Sequence, residues 1–277
     1  MKSPVLSILF LLISVTLLAV PNDFRFRHFS VEDGLSSNSV RAIMQDKYGF
    51  LWIGTEEGLN RYDGIMIKSY SICPQAAGKY ISSLYGTKKN IWIGTDEGIY
   101  IYAYATETFT YFDLTTPNNV RITSIVNHIL QDKDGNLWFS TNGQGLFRYN
   151  LSKNYLEQYE FTSAFGIVAS TMADSDNQIW ALTNQGESGV YKLNKAENKF
   201  EPFGLLYNAG NHHSQALAML EDSEQTLWLG TWECGLQKID KYTRQTTTYL
   251  HPTDGKGVTH IHSLMEYAPH QLLIGSD

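Results

Sequence analysis

The sequence predicts an all-β protein, a β-propeller built from four-stranded antiparallel blades. Three observations carry this prediction. A short phrase containing Trp recurs every 40 to 48 residues, with Trp at positions 52, 92, 138, 180 and 228. Gly, Asn and Asp cluster between short apolar segments, where they favour turns. No segment carries a helical apolar period long enough to compete. Four strands repeated at this interval are typical of propeller blades.

The third repeat shows how one unit divides into four strands. Its turns are rich in Asp, Asn and Gly, residues that tolerate the backbone angles of tight turns. Between the turns lie β-branched and apolar segments, and one of them alternates apolar and polar residues as a half-buried strand does. The predicted strands are Thr123–Leu130, Leu137–Thr141, Leu146–Asn150 and Tyr155–Phe161.

The repeated Trp and Gly residues are expected to be structural. Each Trp falls in the second strand of its unit, where it would supply apolar area between neighbouring blades. The Gly two positions later would let the next backbone approach closely. A sixth copy at the end of the chain carries Leu273 in place of Trp, so we expect about five complete blades and a partial sixth. The residues with this expected role are Trp52, Trp92, Trp138, Trp180, Trp228, Gly54, Gly94 and Gly230.

The first residues form a separate segment. Residues 1–20 combine one Lys with a short apolar run, which predicts a secretory signal peptide or, as the alternative, a short N-terminal anchor. The propeller is then expected to span residues 24–277. Phe24–Phe29 is similar to the outermost strand of the other units, so it is predicted to belong to the last blade of the ring. The sixth unit stops after its second strand, which indicates part of a longer protein.

Composition and motifs exclude several classes of function. A net charge of −7 argues against nucleic-acid binding, which needs a cationic surface. Two Cys exclude a disulfide scaffold, and Cys73 and Cys234 lie in separate units. His260 and His262 belong to no ligand set of recognised spacing, so no metal is expected. No cofactor and no catalytic motif is predicted either, and the chain is expected not to be an enzyme.

The repeated phrase resembles a known family, the two-component regulator propeller repeat. The resemblance is strongest at Gln45–Tyr62 and Gln131–Tyr149, and it extends to the opening phrase Phe29–Val40. It implies a seven-bladed propeller in the periplasmic sensor region of a hybrid histidine kinase, of the kind found in Bacteroidetes. It further implies a homodimeric ectodomain, a glycan ligand and control of glycan-utilisation genes. If it holds, the full-length protein is a histidine kinase with a membrane helix beyond this chain.

The candidate ligand surface is the blade face that carries the loops between second and third strands and between successive blades. Loops at the axis of a rigid propeller are its usual binding surface. Carboxylates, amides and a few aromatic rings suit the hydroxyl edges and apolar faces of sugars. Trp232 is the only Trp away from the repeat position. The predicted ligand-binding residues are Trp232, Glu233, His212, His213, Arg121, Tyr80, Asn142 and Gln144.

Two other functions remain open from the sequence. The turn Asp132–Gly135 with Trp138 is similar to the structural aspartate box of sialidases and to turns of propeller lyases, so a polysaccharide lyase or glycosidase is one alternative. No spacing singles out a catalytic carboxylate pair. The other alternative is a protein-interaction scaffold, a role that propellers often fill.

Overall fold

A computed structural model describes residues 26–72, 79–161, 166–183, 189–205, 215–250 and 260–276. The segment predicted as a signal peptide and His212 and His213 lie outside the described residues. No helix in the described ranges has the length and apolar character needed to cross a membrane. The described chain is built from strands, apart from one turn of 3-10 helix at Val31–Asp33 capped by Ser30.

The first two sheets each contain four antiparallel strands in simple up-and-down order. Short turns join the strands, as expected for four-stranded antiparallel blades. We call each four-stranded sheet a blade. Blade 1 consists of β1 (Val40–Gln45), β2 (Leu51–Thr55), β3 (Gly58–Tyr62) and β4 (Ile67–Tyr70). Blade 2 consists of β5 (Ile81–Gly86), β6 (Asn90–Thr95), β7 (Gly98–Ala103) and β8 (Thr108–Tyr111).

Three more blades follow with the same strand order, and a two-stranded sixth sheet ends the chain. The prediction of a propeller with about five complete blades and a partial sixth is therefore confirmed. Blade 3 is β9 (Val126–Gln131), β10 (Leu137–Thr141), β11 (Leu146–Asn150) and β12 (Tyr155–Tyr159); blade 4 is β13 (Val168–Ala173), β14 (Ile179–Thr183), β15 (Gly189–Asn194) and β16 (Lys199–Leu205); blade 5 is β17 (Ala216–Glu221), β18 (Leu227–Thr231), β19 (Leu236–Ile239) and β20 (Thr246–Tyr249); the sixth sheet is β21 (Ile261–Ala268) and β22 (Gln271–Ser276).

The opening segment differs from its prediction. Phe24–Phe29 was expected to form an outermost strand of the last blade, yet residues 26–29 form no strand. Within residues 260–276, the sixth sheet consists of β21 and β22, and residues 26–29 do not pair with either strand. The segment packs instead on blade 1: the Arg27 guanidinium donates a 2.7 Å hydrogen bond to the Tyr62 hydroxyl, and the rings of Phe29 and Tyr62 lie 4.8 Å apart.

The apolar core is divided among the junctions between blades. Trp52 shares a cluster with Ile81 and Ile93 of blade 2, and Trp138 shares one with Ile179 and Ala181 of blade 4. Trp92 and Trp180 occupy the same position at the junctions of blades 2 and 3 and of blades 4 and 5. Burying a Trp between two sheets removes a large apolar area from water, about 25 cal/mol per Å². The Trp of each of blades 1 to 4 therefore packs against the next blade, whereas Trp228 of blade 5 is only half-buried and belongs to none of these clusters.

The close approach of the neighbouring blade explains the Gly that lies two positions after each of three Trp residues. A Cβ atom on Gly94 would lie 2.9 Å from the Val126 carbonyl oxygen of blade 3, and one on Gly230 would lie 2.7 Å from the Ile261 carbonyl oxygen. A Cβ on Gly54 would collide with the Ile81 side chain of blade 2. These distances are shorter than van der Waals contact, so a larger residue would push the blades apart.

Candidate functional site

The propeller has two faces that differ in the kind of turn they carry. The loop face holds the loops between second and third strands and the connections between blades. The turn face holds the turns between first and second and between third and fourth strands. At the loop face, a buried Thr ends each second strand and donates its hydroxyl to the carbonyl of the residue that opens or precedes the third strand. These residues are Thr55, Thr95, Thr141, Thr183 and Thr231.

The loops of this face reach the neighbouring blade. Asn142 forms an isolated antiparallel bridge with Ile167 of blade 4, and Trp232 forms one with His260 of the sixth sheet. The backbone amide of Trp232 also donates to the carbonyl of Gln215, 2.9 Å away. The loop face is therefore tied across blade junctions by main-chain hydrogen bonds.

A β-bulge begins the innermost strand of every sheet. One residue at the second position of each strand has no partner on the adjacent strand, which re-aims its side chain. The Ser82 hydroxyl donates to the Val126 carbonyl at 2.8 Å, and the Asn127 amide donates to the Val168 carbonyl at 2.9 Å. Both bonds cross to the next blade. The bulge residues are Arg41, Ser82, Asn127, Ala169, Leu217 and His262.

The bulges were missed at the sequence level, although a signal was present. Aligning the six inner strands shows an apolar first position, Ala or Ile for example, followed by a second position that ranges from Arg to Leu. Varied side chains at one structural position near the axis are what a binding surface needs. The ring of bulge residues is therefore an addition to the candidate site.

Tyr80 lies at the junction of blades 1 and 2, beside two charged residues. The Arg41 guanidinium lies 5.9 Å from the centre of the Tyr80 ring and forms an ion pair with Glu56. The hydrogen bond from Arg41 holds the pKa of the Glu56 carboxyl below its ordinary value. This group presents an aromatic edge and both signs of charge to solvent.

Gln144 is used within the protein. Its side-chain oxygen accepts hydrogen bonds from the backbone amides of Thr123 and Ser124, at 2.9 and 3.0 Å. Its amide nitrogen donates to the carbonyl of Arg121, and the Arg121 guanidinium is 2.8 Å from an Asp113 carboxylate oxygen. The structure thus brings Gln144 and Arg121 together. The hydrogen bonds of the Gln144 side chain hold the loop that precedes β9.

Trp232 and Glu233 lie at a third place, the junction of blade 5 and the sixth sheet. Trp232 is 41% exposed, and its ring centre lies 3.8 Å from that of His260 and 6.5 Å from that of His262. Glu233 has a positive φ of 69°, a conformation uncommon for a residue with a side chain. The described candidate residues therefore form three separate groups on the loop face. Tyr80 lies at blades 1 and 2, Arg121, Asn142 and Gln144 lie at blade 3, and Trp232 and Glu233 lie at blade 5.

The turn face is organised around an Asp–Trp contact in four blades. The Asp carboxylate accepts from the indole nitrogen of the Trp six residues later and from backbone amides of its own turn. The cross-strand neighbour of this Trp is a cation, whose charge lies over the ring. The four sets are Asp46, Trp52 and Arg61; Asp132, Trp138 and Arg148; Asp174, Trp180 and Lys192; and Asp222, Trp228 and Lys238.

Chemical groups for metal binding are scarce in this structure. Within the described ranges, no set of three or more His, Cys, Asp or Glu side chains is arranged to hold a metal ion. Cys234 is buried, whereas Cys73 lies outside the described residues. His128 lies on the inner strand β9, with its Nδ1 atom 3.5 Å from the Thr171 hydroxyl, and burial lowers its pKa to about 4.

Comparisons with known proteins agree with the observed propeller fold. Residues 34–57 and 120–143 match the model of the two-component regulator propeller. A segment of 68 residues, 24% of this chain, is 46% identical to histidine kinase P4 of Formosa agariphila, of which it covers 5%. The extracellular domain of a hybrid two-component system from B. thetaiotaomicron is similar over 90% of this chain and 34% of its own length, with 24% identity and a TM-score of 0.74.

Other propellers are similar in fold only. Virginiamycin B lyase from Staphylococcus aureus shares 16% identity over 86% of this chain and 78% of its own length, with a TM-score of 0.67. The chain spans about one-twentieth of the histidine kinase and about a third of the Bacteroides domain. The two segments that match the two-component regulator propeller model and the five observed blades agree, because both indicate a propeller fold.

Proposed function

We propose that this chain is part of the extracytoplasmic sensing region of a two-component system. The observation that carries the proposal is the regulator propeller motif, matched at residues 34–57 and 120–143. Support also comes from the likeness to a histidine kinase and to an extracellular domain of a hybrid two-component system. The periplasm is the proposed location, and a kinase encoded with this propeller is the proposed output.

The proposed ligand is a carbohydrate fragment that binds the loop face. Trp232 is an exposed ring with an acidic neighbour, Glu233, which together offer a stacking surface and a hydrogen-bond acceptor. Tyr80 and Arg41 offer a second ring and a donor at blades 1 and 2. Aromatic faces pack on the C–H faces of sugars, and polar groups around them fix the hydroxyls. Utilisation genes for the same glycan are the proposed target of the signal.

A homodimer of the complete ectodomain is the proposed carrier of the signal. A ligand shifts an equilibrium only by its difference in affinity for two states. A rearrangement between two propellers would provide those states, since each blade is held rigidly by its neighbours. Binding of a glycan is therefore expected to change the association or the relative arrangement of two copies.

The test is a titration of the purified chain with a panel of glycan fragments, followed by calorimetry. We expect one fragment class to bind saturably without being converted. Trp232→Ala should weaken binding at least tenfold, whereas Tyr155→Ala, which removes an exposed ring on the turn face, should leave it unchanged. Equal binding by wild type and Trp232→Ala would reject the loop-face assignment.

The same titration separates the alternatives. Release of a product from any glycan would favour a lyase or glycosidase over a sensor. Binding of no glycan, together with a defined protein complex, would favour a scaffold. The likeness to virginiamycin B lyase is a likeness of fold at 16% identity and favours neither outcome.

A further inference from the structure

A cavity of about 380 Å³ opens on the turn face between blades 4 and 5. It is larger than the cavities at the equivalent junctions of blades 1 and 2 and of blades 3 and 4, which measure about 240 and 150 Å³. Small-molecule sites in proteins have volumes of about 300 to 1,000 Å³. Of these three cavities, the one between blades 4 and 5 therefore has room for a small ligand.

The outermost strand of blade 4 gives this cavity a wall of its own kind. The pairing of β16 with β15 skips Phe203, which makes a β-bulge, whereas the outermost strands of the other four complete blades pair without such a shift. Bulges re-aim the side chains near them. The Phe203 ring stands at 88° to the Trp180 ring, whereas the Tyr159 ring of blade 3 lies at 33° to the Trp138 ring.

Three cations and one acid line the cavity. The Lys192 ammonium lies 5.3 Å from the centre of the Trp180 ring, and the Arg244 guanidinium lies 5.0 Å from the centre of the Phe203 ring. The centres of these two rings are 4.7 Å apart, so the two positive charges lie over adjoining rings. The charged residues of the lining are Lys192, Lys195, Arg244 and Glu201.

The junction of blades 3 and 4 shows how the protein neutralises a cation at this place. There the Arg148 guanidinium lies 2.5 Å from the carboxylate of its cross-strand partner, Glu157. The same carboxylate accepts from the Tyr159 hydroxyl at 2.9 Å and from the Asn198 amide at 2.7 Å. An acid of the outermost strand is thus held against the cation by two neutral donors.

At the junction of blades 4 and 5 the corresponding acid has another partner. Glu201 is the cross-strand partner of Lys192, but its carboxylate accepts from the Asn194 amide at 2.9 Å. The aromatic position next to it carries Phe203, which has no hydroxyl to donate to a carboxylate. Glu201 is therefore not held against Lys192 in the way that the acid of blade 3 is held against its cation.

The turn that closes the cavity adds charge instead of a neutral donor. Arg244 has a φ of 62° in the turn between the third and fourth strands of blade 5, where blade 4 carries Asn198 with a φ of 53°. Across the part of the chain that the structure describes, the charged ends of Lys192, Lys195 and Arg244 form no ion pair. Their positive charge is therefore available to a ligand.

We propose that the cavity between blades 4 and 5 binds a phosphate monoester. Three cations and one acid leave two positive charges, and a phosphoryl group carries about two negative charges at neutral pH. The Arg244 guanidinium offers the planar fork that suits phosphate oxygens, and the ammonium of Lys192 adds a point charge. Phe203 offers the organic part of the ester an apolar surface. The proposal does not rest on the glycan function, because the glycan surface lies on the opposite face.

The test is calorimetric titration of the whole chain with phenyl phosphate at pH 7.5. Phenyl sulfate is the matched probe, because it has the same ring and a single negative charge. We expect phenyl phosphate to bind at least tenfold more tightly than phenyl sulfate, and the preference to fall below threefold at pH 5, where the phosphate ester carries about one charge. Equal binding of the two esters at pH 7.5 would overturn the assignment to phosphate. Inorganic phosphate that binds as tightly as phenyl phosphate would reject an ester as the ligand.

Four variants locate the binding. Arg244→Gln and Lys192→Gln should each weaken the binding of phenyl phosphate at least fivefold, and Glu201→Gln should strengthen it at least twofold. Lys238→Gln is the matched control and should leave the affinity within twofold. Its ammonium lies 5.7 Å from the centre of the Trp228 ring, at the strand position of Lys192 but outside the cavity. Affinity that is unchanged in both Arg244→Gln and Lys192→Gln, or a wild-type chain that does not bind phenyl phosphate, would overturn the proposal.

Discussion

Blades 2 and 3 solve the same packing problem in different ways. In blade 3 the Trp138 indole nitrogen donates to Asp132 at 2.8 Å, and Arg148 lies over the ring. In blade 2 the Trp92 indole nitrogen is buried without a hydrogen-bond partner, and the cross-strand neighbour is Ile101. Blade 2 therefore lacks both the acid and the cation that hold the Trp in the other four complete blades.

The cause of the difference is a turn that is one residue shorter. Asp132 and Trp138 are six residues apart, whereas Thr87, which starts the corresponding turn, precedes Trp92 by five. The Thr87 backbone amide bonds to the carbonyl of Asn90, and its hydroxyl bonds to the same residue. Trp92 is instead packed against Phe112, Phe139 and Tyr149, at ring-centre distances of 5.4 to 5.8 Å. A blade can thus be held by aromatic packing alone, at the cost of one unsatisfied donor.

The largest expected effect comes from removing the acid of blade 3. Asp132→Ala leaves the Trp138 indole nitrogen and two Asn136 donors without partners, since all three bond to this carboxylate. We expect the free energy of unfolding to fall by about 4 kcal/mol, measured by urea denaturation. Thr87→Ala, the matched change in blade 2, should cost only about 1 kcal/mol. Equal losses of stability in the two variants would show that the hydrogen bonds of Asp132 contribute no more than those of Thr87.

A buried lysine of blade 5, Lys241, lies beside the Asp174–Trp180 contact of blade 4. Lys241 is 4% exposed, and its ammonium lies 2.8 Å from Glu221, 2.9 Å from Asp176 and 3.7 Å from Asp174. Lys241→Met leaves these carboxylates to repel one another, so we expect a loss of about 3 kcal/mol in the free energy of unfolding. Lys238→Met, at a half-buried Lys of blade 5, which also carries Lys241, should cost at most about 1 kcal/mol.

The pH dependence of this loss has a definite sign. Burial would lower the pKa of Lys241, but its hydrogen bonds to Glu221 and Asp176 raise it above the ordinary lysine value. A raised pKa contributes stability that is complete below the pKa of the unfolded chain, about 10.4, and is lost as pH rises above it. The difference between wild type and Lys241→Met should stay constant from pH 7 to 10 and narrow beyond. A difference that is largest at high pH would contradict the ion pair.

A smaller loss of stability is expected when Trp138 and Trp92 are each replaced by Phe, and the two variants compare the blades directly. Trp138→Phe removes one of the two hydrogen bonds to Asp132 Oδ2 and leaves this buried oxygen only the Asn136 amide as a donor, so we expect a loss of about 2 kcal/mol in the free energy of unfolding. Trp92→Phe removes a donor that has no partner, so only packing is lost, at about 1 kcal/mol. Thermal and urea unfolding of the two variants measure the difference. If Trp92→Phe is the more damaging change, aromatic packing dominates at both junctions.

The sequence was enough to predict the blades because their signals are local. The second and third strands of the third repeat, Leu137–Thr141 and Leu146–Asn150, have the predicted bounds, since Gly and Asn turns delimit them. The first strand was predicted three residues too early, at Thr123 rather than Val126, because Gln144 holds the preceding backbone in a loop. Phe24–Phe29 has the pattern of a strand, but its described part, residues 26–29, packs on blade 1 without forming one.

Predicting the candidate sites requires the strand register as well as the residue pattern of the sequence. A bulge at Arg41 or Asn127 arises from pairing between strands, which no local pattern of residues expresses. Arg148 faces Glu157 across the strands whereas Arg61 faces Lys68, a difference that only the strand register reveals. The ligand-binding role of Trp232 and its neighbours stays a prediction, because position on the loop face specifies no ligand.

The smallest expected effect is a gain of stability, from giving blade 2 the turn of blade 3. Replacing the four residues Thr87-Lys88-Lys89-Asn90 with the five residues Asp-Lys-Asp-Gly-Asn restores the six-residue spacing from Asp to Trp92. The new carboxylate should accept from the indole nitrogen and raise the free energy of unfolding by about 1 kcal/mol. The control is the same five-residue turn with Asn in place of the first Asp, because it lengthens the turn without adding the carboxylate that would accept from Trp92. If both turns destabilise the chain equally, blade 2 is adapted to its shorter turn through Ile101 and Phe112, and its unpaired Trp92 is the better of the two arrangements for that junction.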